Sequence, residues 1–166
     1  MLALSYRGYP GSSGSPSEEG LYEDARAAFN WLAKRHGADQ IVVHGLSLGT
    51  GVAAKLAAEV DAQALILEAP YPAIVDVAGE RHPYLPVGLL LWDQFPTRDF
   101  IGDVKMPVLI AHGNEDTVVP FEHSKRLFEL APEPKKLLKM QCSDHNSLVR
   151  DGLYPHIWRF LANPQG

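Results

Sequence analysis

Five residues, Gly45-Leu46-Ser47-Leu48-Gly49, set a serine between two glycines, directly after the β-branched run Ile41-Val42-Val43 and directly before an alanine-rich stretch. A serine on a sharp strand-to-helix turn exposes its hydroxyl at the bend, and glycines two residues to either side let the backbone and the following helix come close. Gly51, Ala53 and Ala54 continue the run of small residues. Composition alone yields the pattern in about one chain in twenty of this length, so the strand and helix around it carry the weight. A serine hydroxyl is a weak nucleophile until a base takes its proton, and the base needs a third group to hold its tautomer. The chain must therefore supply an acid and a histidine further on.

Both types are present in suitable loops. His112-Gly113-Asn114-Glu115-Asp116, with Val119-Pro120, follows the apolar run 108–111 and offers Asp116; its neighbour Glu115 is chemically able to orient an imidazole too. Cys142-Ser143-Asp144-His145-Asn146 follows the run 136–140 and offers His145. Open α/β sheets place their ligands at such carboxyl-end loops. The remaining histidines have structural readings: His36 at a helix end, His44 packing at a strand end, His82, His123 and His156 on the surface or in loops, and His112 buried under the acid loop. Cys142 has no elbow around it, which argues against a thiol nucleophile, and Asp144 reads equally as a turn residue.

These side chains need a scaffold. Apolar runs at 2–6, 41–43, 64–67, 108–111 and 136–140 alternate with helical patterns, which predicts an α/β fold with a mostly parallel sheet flanked by helices. The first helix is capped by Ser15 or Ser17, carries Leu21, Ala25, Phe29 and Leu32 on one face, and stops at Gly37. Further helices are expected at 52–60, 122–130 and 146–161. Residues 71–100 leave this alternation as a small cap-like excursion. Its apolar segment holds Tyr84, Leu85, Leu89 and Trp92. Two readings of that segment stay open, contact with a substrate's apolar part and plain core packing.

At 166 residues and 46% hydrophobic content, the chain fits one domain, 1–166, with a single core. A net charge of −5 without a lysine and arginine stripe argues against nucleic acid as a partner. One cysteine and no paired Cys/His spacing call for neither an oxidising compartment nor a metal, and no motif requires an organic cofactor. No signal-peptide pattern opens the chain and no apolar stretch is long enough to span a bilayer, so a cytoplasmic location is expected.

The motifs quoted so far, together with Ser5-Tyr6-Arg7-Gly8-Tyr9, Gly11-Ser12-Ser13-Gly14 and Tyr84-Leu85-Pro86-Val87, resemble one branch of the α/β-hydrolase superfamily over nearly the whole chain. That branch includes eukaryotic proteins that remove palmitoyl groups from other proteins, and many bacterial relatives. The resemblance implies a catalytic triad of Ser47, Asp116 and His145, with Asp116 rather than Glu115 as the acid, and the Leu48 amide as an oxyanion donor. It implies hydrolysis of carboxylic esters or thioesters of small or acyl-lipid substrates, with Tyr84, Leu85, Leu89 and Trp92 near the acyl chain. It also implies an N-terminally shortened member, lacking the family's first strands and a second oxyanion loop, with Ser5 at a position usually held by Asp. The strand at 2–6 is then expected to pair with that at 41–43, to recruit another chain as a homo-oligomer, or to leave a weak edge. Two further readings stay open: an impaired or truncated hydrolase fold that acts as a binding module, and a serine peptidase on small aminoacyl substrates.

Overall fold

The computed structural model describes residues 1–164. Its four strands are β1 (Val42–Leu46), β2 (Ala64–Glu68), β3 (Val108–Gly113) and β4 (Lys135–Met140), all parallel and in spatial order β1-β2-β3-β4. The helices are α1 (Glu18–His36), α2 (Leu48–Glu59), α3 (Ile74–Arg81), α4 (Val87–Leu90), α5 (Thr97–Phe100), α6 (Phe121–Leu130) and α7 (Leu153–Ala162). None among the described residues is long and apolar enough to cross a membrane.

The central strands β2 and β3 are buried at every position, as strands covered on both faces must be. Their alternate residues serve two cores. Leu65, Leu67, Val108 and Ile110 pack with α1, α2 and Leu127 of α6. Ala64, Ile66, Leu109 and Ala111 pack with Leu153, Ile157 and Phe160 of α7. The strands step in one direction along the sheet, and right-handed crossovers then lay their connections on the same face. α7, which follows the last strand, is free to cover the other.

The expected strand at 2–6 does not form. These residues carry no regular structure, and Leu2 and Leu4 are exposed. A strand exists only where a ladder accepts its backbone groups, and this segment is tied to a helix instead. Arg7 donates from its amide, Nε and Nη2 to the Asp24 carboxylate of α1 at 2.8, 3.0 and 2.7 Å. Direct pairing with 2–6 is thus ruled out, and within the chain β1 is left as a sheet edge, with His44 and Leu46 exposed. The last helix starts at Leu153 rather than 146, because Gly152 is left-handed at φ 100° and residues 146–152 form turns.

Ser17, not Ser15, caps α1 and accepts the Gly20 amide at 3.2 Å. Glu18 then reaches the returning chain at the excursion's base, where its carboxylate accepts the Gln94 and Phe95 amides at 2.6 and 2.9 Å. Ile74 and Arg98 close the excursion's base through backbone bonds to Gln94 and Pro72.

Candidate active site

The site is built at the carboxyl end of the sheet, starting from a strained residue. Ser47 joins β1 to α2 with φ 49° and ψ −116°, a conformation costing a non-glycine residue about 1–3 kcal/mol. Its amide donates to the Glu68 carbonyl of β2 at 2.9 Å, and its carbonyl accepts from the Thr50 amide and hydroxyl at 2.9 and 2.6 Å. The two motif glycines are not equivalent. A Cβ on Gly45 would overlap the Gly49 carbonyl and lie 2.8 Å from the Ala53 methyl, whereas a Cβ on Gly49 would meet only the Tyr6 hydroxyl at 3.8 Å. The tight second approach belongs to Gly51, whose Cβ would lie 2.8 Å from that of Phe95.

β3 ends in Gly113, and the acid loop that follows is stitched to the histidine loop beyond β4. The Asn114 amide donates to Met140 and the Glu115 amide to Ser143, at 2.9 and 3.0 Å. A Cβ on Gly113 would overlap the Ser143 carbonyl, so only glycine permits this crossing. Ser147 steadies the histidine loop by accepting the Asp144 amide at 2.9 Å and donating to Asp151.

These loops bring three side chains into line. His145 Nε2 lies 2.9 Å from Ser47 Oγ, and His145 Nδ1 lies 2.7 Å from Asp116 Oδ2. A carboxylate facing Nδ1 fixes the proton there and leaves the Nε2 lone pair for the serine proton. Asp116 Oδ1 accepts the Val118 and Val119 amides, each at 2.8 Å. Burial pushes this carboxyl up, but hydrogen bonds from His112, His145, Val119 and Val118 outweigh that effect and hold it well below the usual carboxylate range. Glu115 stays exposed and outside this chain of contacts. Leu48 occupies the first position of α2, where a backbone N–H has no partner within the helix. Its carbonyl accepts the Tyr71 hydroxyl at 3.3 Å.

Other sequence expectations meet different fates. Tyr84, Leu85, Leu89 and Trp92 are 97, 53, 85 and 94% exposed, which removes the core-packing reading, and no hydrogen bond or ring contact joins them to the three aligned residues. His123, expected at the surface, is fully buried beneath the excursion, and its Nε2 lies 2.9 Å from Glu80 of α3. His44 sits in mid-strand on the sheet's open edge and pairs with the buried Glu68 at 3.1 Å. Cys142 is an exposed free thiol. Sequence reasoning missed Thr50, Tyr71 and Gly113 as supports of the site. The spacing Ser143-Ser147-Asp151 is the one signal that could have marked the turn network around His145. Among the described residues, no group of His, Cys, Asp or Glu side chains could hold a metal ion.

No family model matches the chain. It is 40% identical over 148 residues, 88% of its length, to an uncharacterized protein of Mycobacterium tuberculosis. It is 35% identical over 158 residues, 93% of its length, to alpha/beta hydrolase domain-containing protein 17B of Homo sapiens. The chain spans about half the length of these curated relatives, 53% of each. An alpha-beta serine hydrolase homologue from Coxiella burnetii superposes on 97% of the chain and 66% of its own, with a TM-score of 0.64 and 25% identity. Parallel sheet, strained serine elbow and these relatives converge, and the chain belongs to the α/β-hydrolase superfamily.

Proposed function

We propose that the chain hydrolyses carboxylic esters or thioesters through an acyl-enzyme, with Ser47 as nucleophile, His145 as base and acid, and Asp116 as its orienting group. The observation that carries this reading is the unbroken hydrogen-bond chain from Ser47 Oγ through His145 to Asp116 Oδ2. Ser47 Oγ attacks the acyl carbon while its proton passes to His145 Nε2, and the buried Asp116 carboxylate stabilises the imidazolium. The carbonyl oxygen gathers negative charge beside the Leu48 amide at the start of α2, where the helix dipole adds to the hydrogen bond. When the tetrahedral adduct collapses, His145 returns its proton to the departing alcohol or thiol. Water then repeats the sequence on the acyl-serine. The exposed Tyr84, Leu85, Leu89 and Trp92 supply an apolar surface for the acyl chain, a role supported by the exposure of these large apolar side chains.

The test is covalent labelling with a fluorophosphonate probe alongside p-nitrophenyl acetate turnover. Wild type labels and turns over, while Ser47→Ala does neither and keeps its fold by circular dichroism. Equal labelling of both proteins overturns the reading.

A further inference from the structure

A second imidazole reaches the same carboxylate oxygen as His145. His112 lies in β3 and is completely buried, with its Nε2 3.1 Å from Asp116 Oδ2 and 2.8 Å from the Val119 carbonyl. Both neighbours are acceptors, so Nε2 carries a proton; its hydrogen bond runs to the Val119 carbonyl, and the same N–H faces Asp116 Oδ2 as a second, longer contact. On the ring's other side, Nδ1 lies 2.6 Å from the hydroxyl of Ser124, itself fully buried in α6. The Phe121 ring meets the imidazole edge-on with centroids 5.7 Å apart. Each polar atom of His112 is thereby committed, and the ring cannot turn without breaking a buried contact.

We propose that His112 is a positioning residue that shares Asp116 Oδ2 with His145 and thereby sets how strongly the carboxylate pulls on the His145 proton. The proposal rests on the triad reading above and deepens it. One oxygen that accepts two donors offers less negative charge to each than to one alone. Asp116 thus stays ionised and fixed, while its hold on the imidazolium is moderated. His145 must take a proton from Ser47 and then release it to the leaving group, and a base held too firmly as its cation fails at the second step. The titratable neighbours of this arrangement are few. Asp116 faces His112 directly, His145 meets the same Oδ2 from the other side of the contact chain, and Lys139, the register partner of His112 on β4, holds its amine 4.8 Å over the Phe121 ring instead.

The test compares wild type with His112→Leu, which removes the donor, and His112→Gln, which returns an N–H near the position of Nε2. Two readouts respond to the shared oxygen: the acid limb of the kcat/KM pH profile and the downfield proton resonance of His145 Nδ1–H. With the competing donor gone, the limb moves to higher pH by about half a unit to one unit and the resonance moves further downfield. His112→Gln recovers at least half of both displacements. If thermal stability falls while limb and resonance stay at wild-type values, His112 is only a packing residue and the proposal is overturned. Should His112→Leu not fold, Ser124→Ala is read in its place. It strips the hydrogen bond from Nδ1, weakens Nε2–H as a donor and shifts both readouts the same way by less; no shift there overturns the proposal too. Fluorophosphonate labelling keeps the two readings separate. An unlabelled wild type sinks the hydrolase reading, and the resonance still decides the role of His112.

Discussion

Two stretches of chain rise from the carboxyl end of the sheet, and they are held in opposite ways. The acid and histidine loops are fastened at nearly every turn. Asp116 takes hydrogen bonds from His112, His145, Val118 and Val119, and Ser147 joins Asp144 to Asp151. The excursion is fastened at its base, by Glu18 and by the Ile74 to Gln94 bond, and at His123, while its apolar segment stands in solvent. Under the proposed function, the contrast follows from what each stretch would handle. Moving a proton between two atoms demands fixed distances and angles, since hydrogen bonds weaken steeply with misalignment. Burying methylenes is non-directional, so an acyl surface needs area rather than exact orientation.

The largest expected effect lies on the fastened side. Ser47→Ala lowers kcat on p-nitrophenyl acetate by about 10⁴-fold or more. The double variant Ser47→Ala/His145→Ala loses little beyond that, because the two side chains act as a unit. Additive losses in a steady-state comparison of the single and double variants would break the coupling that the hydrogen-bond chain implies.

Next come the glycines, which measure how closely the loops are joined. Gly113→Ala drives a methyl group into the Ser143 carbonyl and lowers stability by about 3 kcal/mol, read by urea denaturation. Gly49→Ala meets only the Tyr6 hydroxyl, at ordinary contact distance, in the first turn of α2 and leaves stability within about 1 kcal/mol of wild type, on the favourable side. Equal costs at both positions would mean that the loop crossing at Gly113 is not what constrains the site.

A smaller effect comes from charge. The Asp116 carboxyl is held below its ordinary value in the folded chain, so its contribution to stability is complete above the unfolded value of about 3.9 and is lost as pH falls through the folded value. Asp116→Asn removes that contribution. Urea midpoints taken from pH 5 downward therefore fall less steeply for the variant than for wild type.

How much of this was readable from residues alone follows the same division. Strands β1 to β4 and the elbow were legible because local patterns dictate them: β-branched runs, glycine spacing and the alternation of strand and helix. The chemistry a serine needs pointed to His145 and to the pair Glu115 and Asp116, and the family resemblance chose Asp116 of the two. The strand expected at 2–6 failed because an apolar run does not reveal whether a ladder is available to pair it. His123 failed because its burial depends on α3 folding over it, a property of tertiary approach with no trace in local sequence. His112 is buried under the acid loop as expected, and its contact with Asp116, four residues on, follows from the turn between them.

The smallest effect on the fold, and the sharpest test of the contrast, is expected in the excursion. Leu89 and Trp92 touch solvent over most of their surface, so Leu89→Ser/Trp92→Ser changes stability by no more than about 0.5 kcal/mol. If these side chains cover an acyl chain, each methylene they bury contributes about 0.8 kcal/mol, and the loss on substitution grows with chain length. The double variant then hydrolyses p-nitrophenyl acetate at the wild-type rate but loses about tenfold in kcat/KM on the octanoate, where roughly two buried methylenes' worth of contact is gone. A loss equal on both esters would place the damage at the fastened loops, and no loss on either would leave the exposed segment outside the substrate's path.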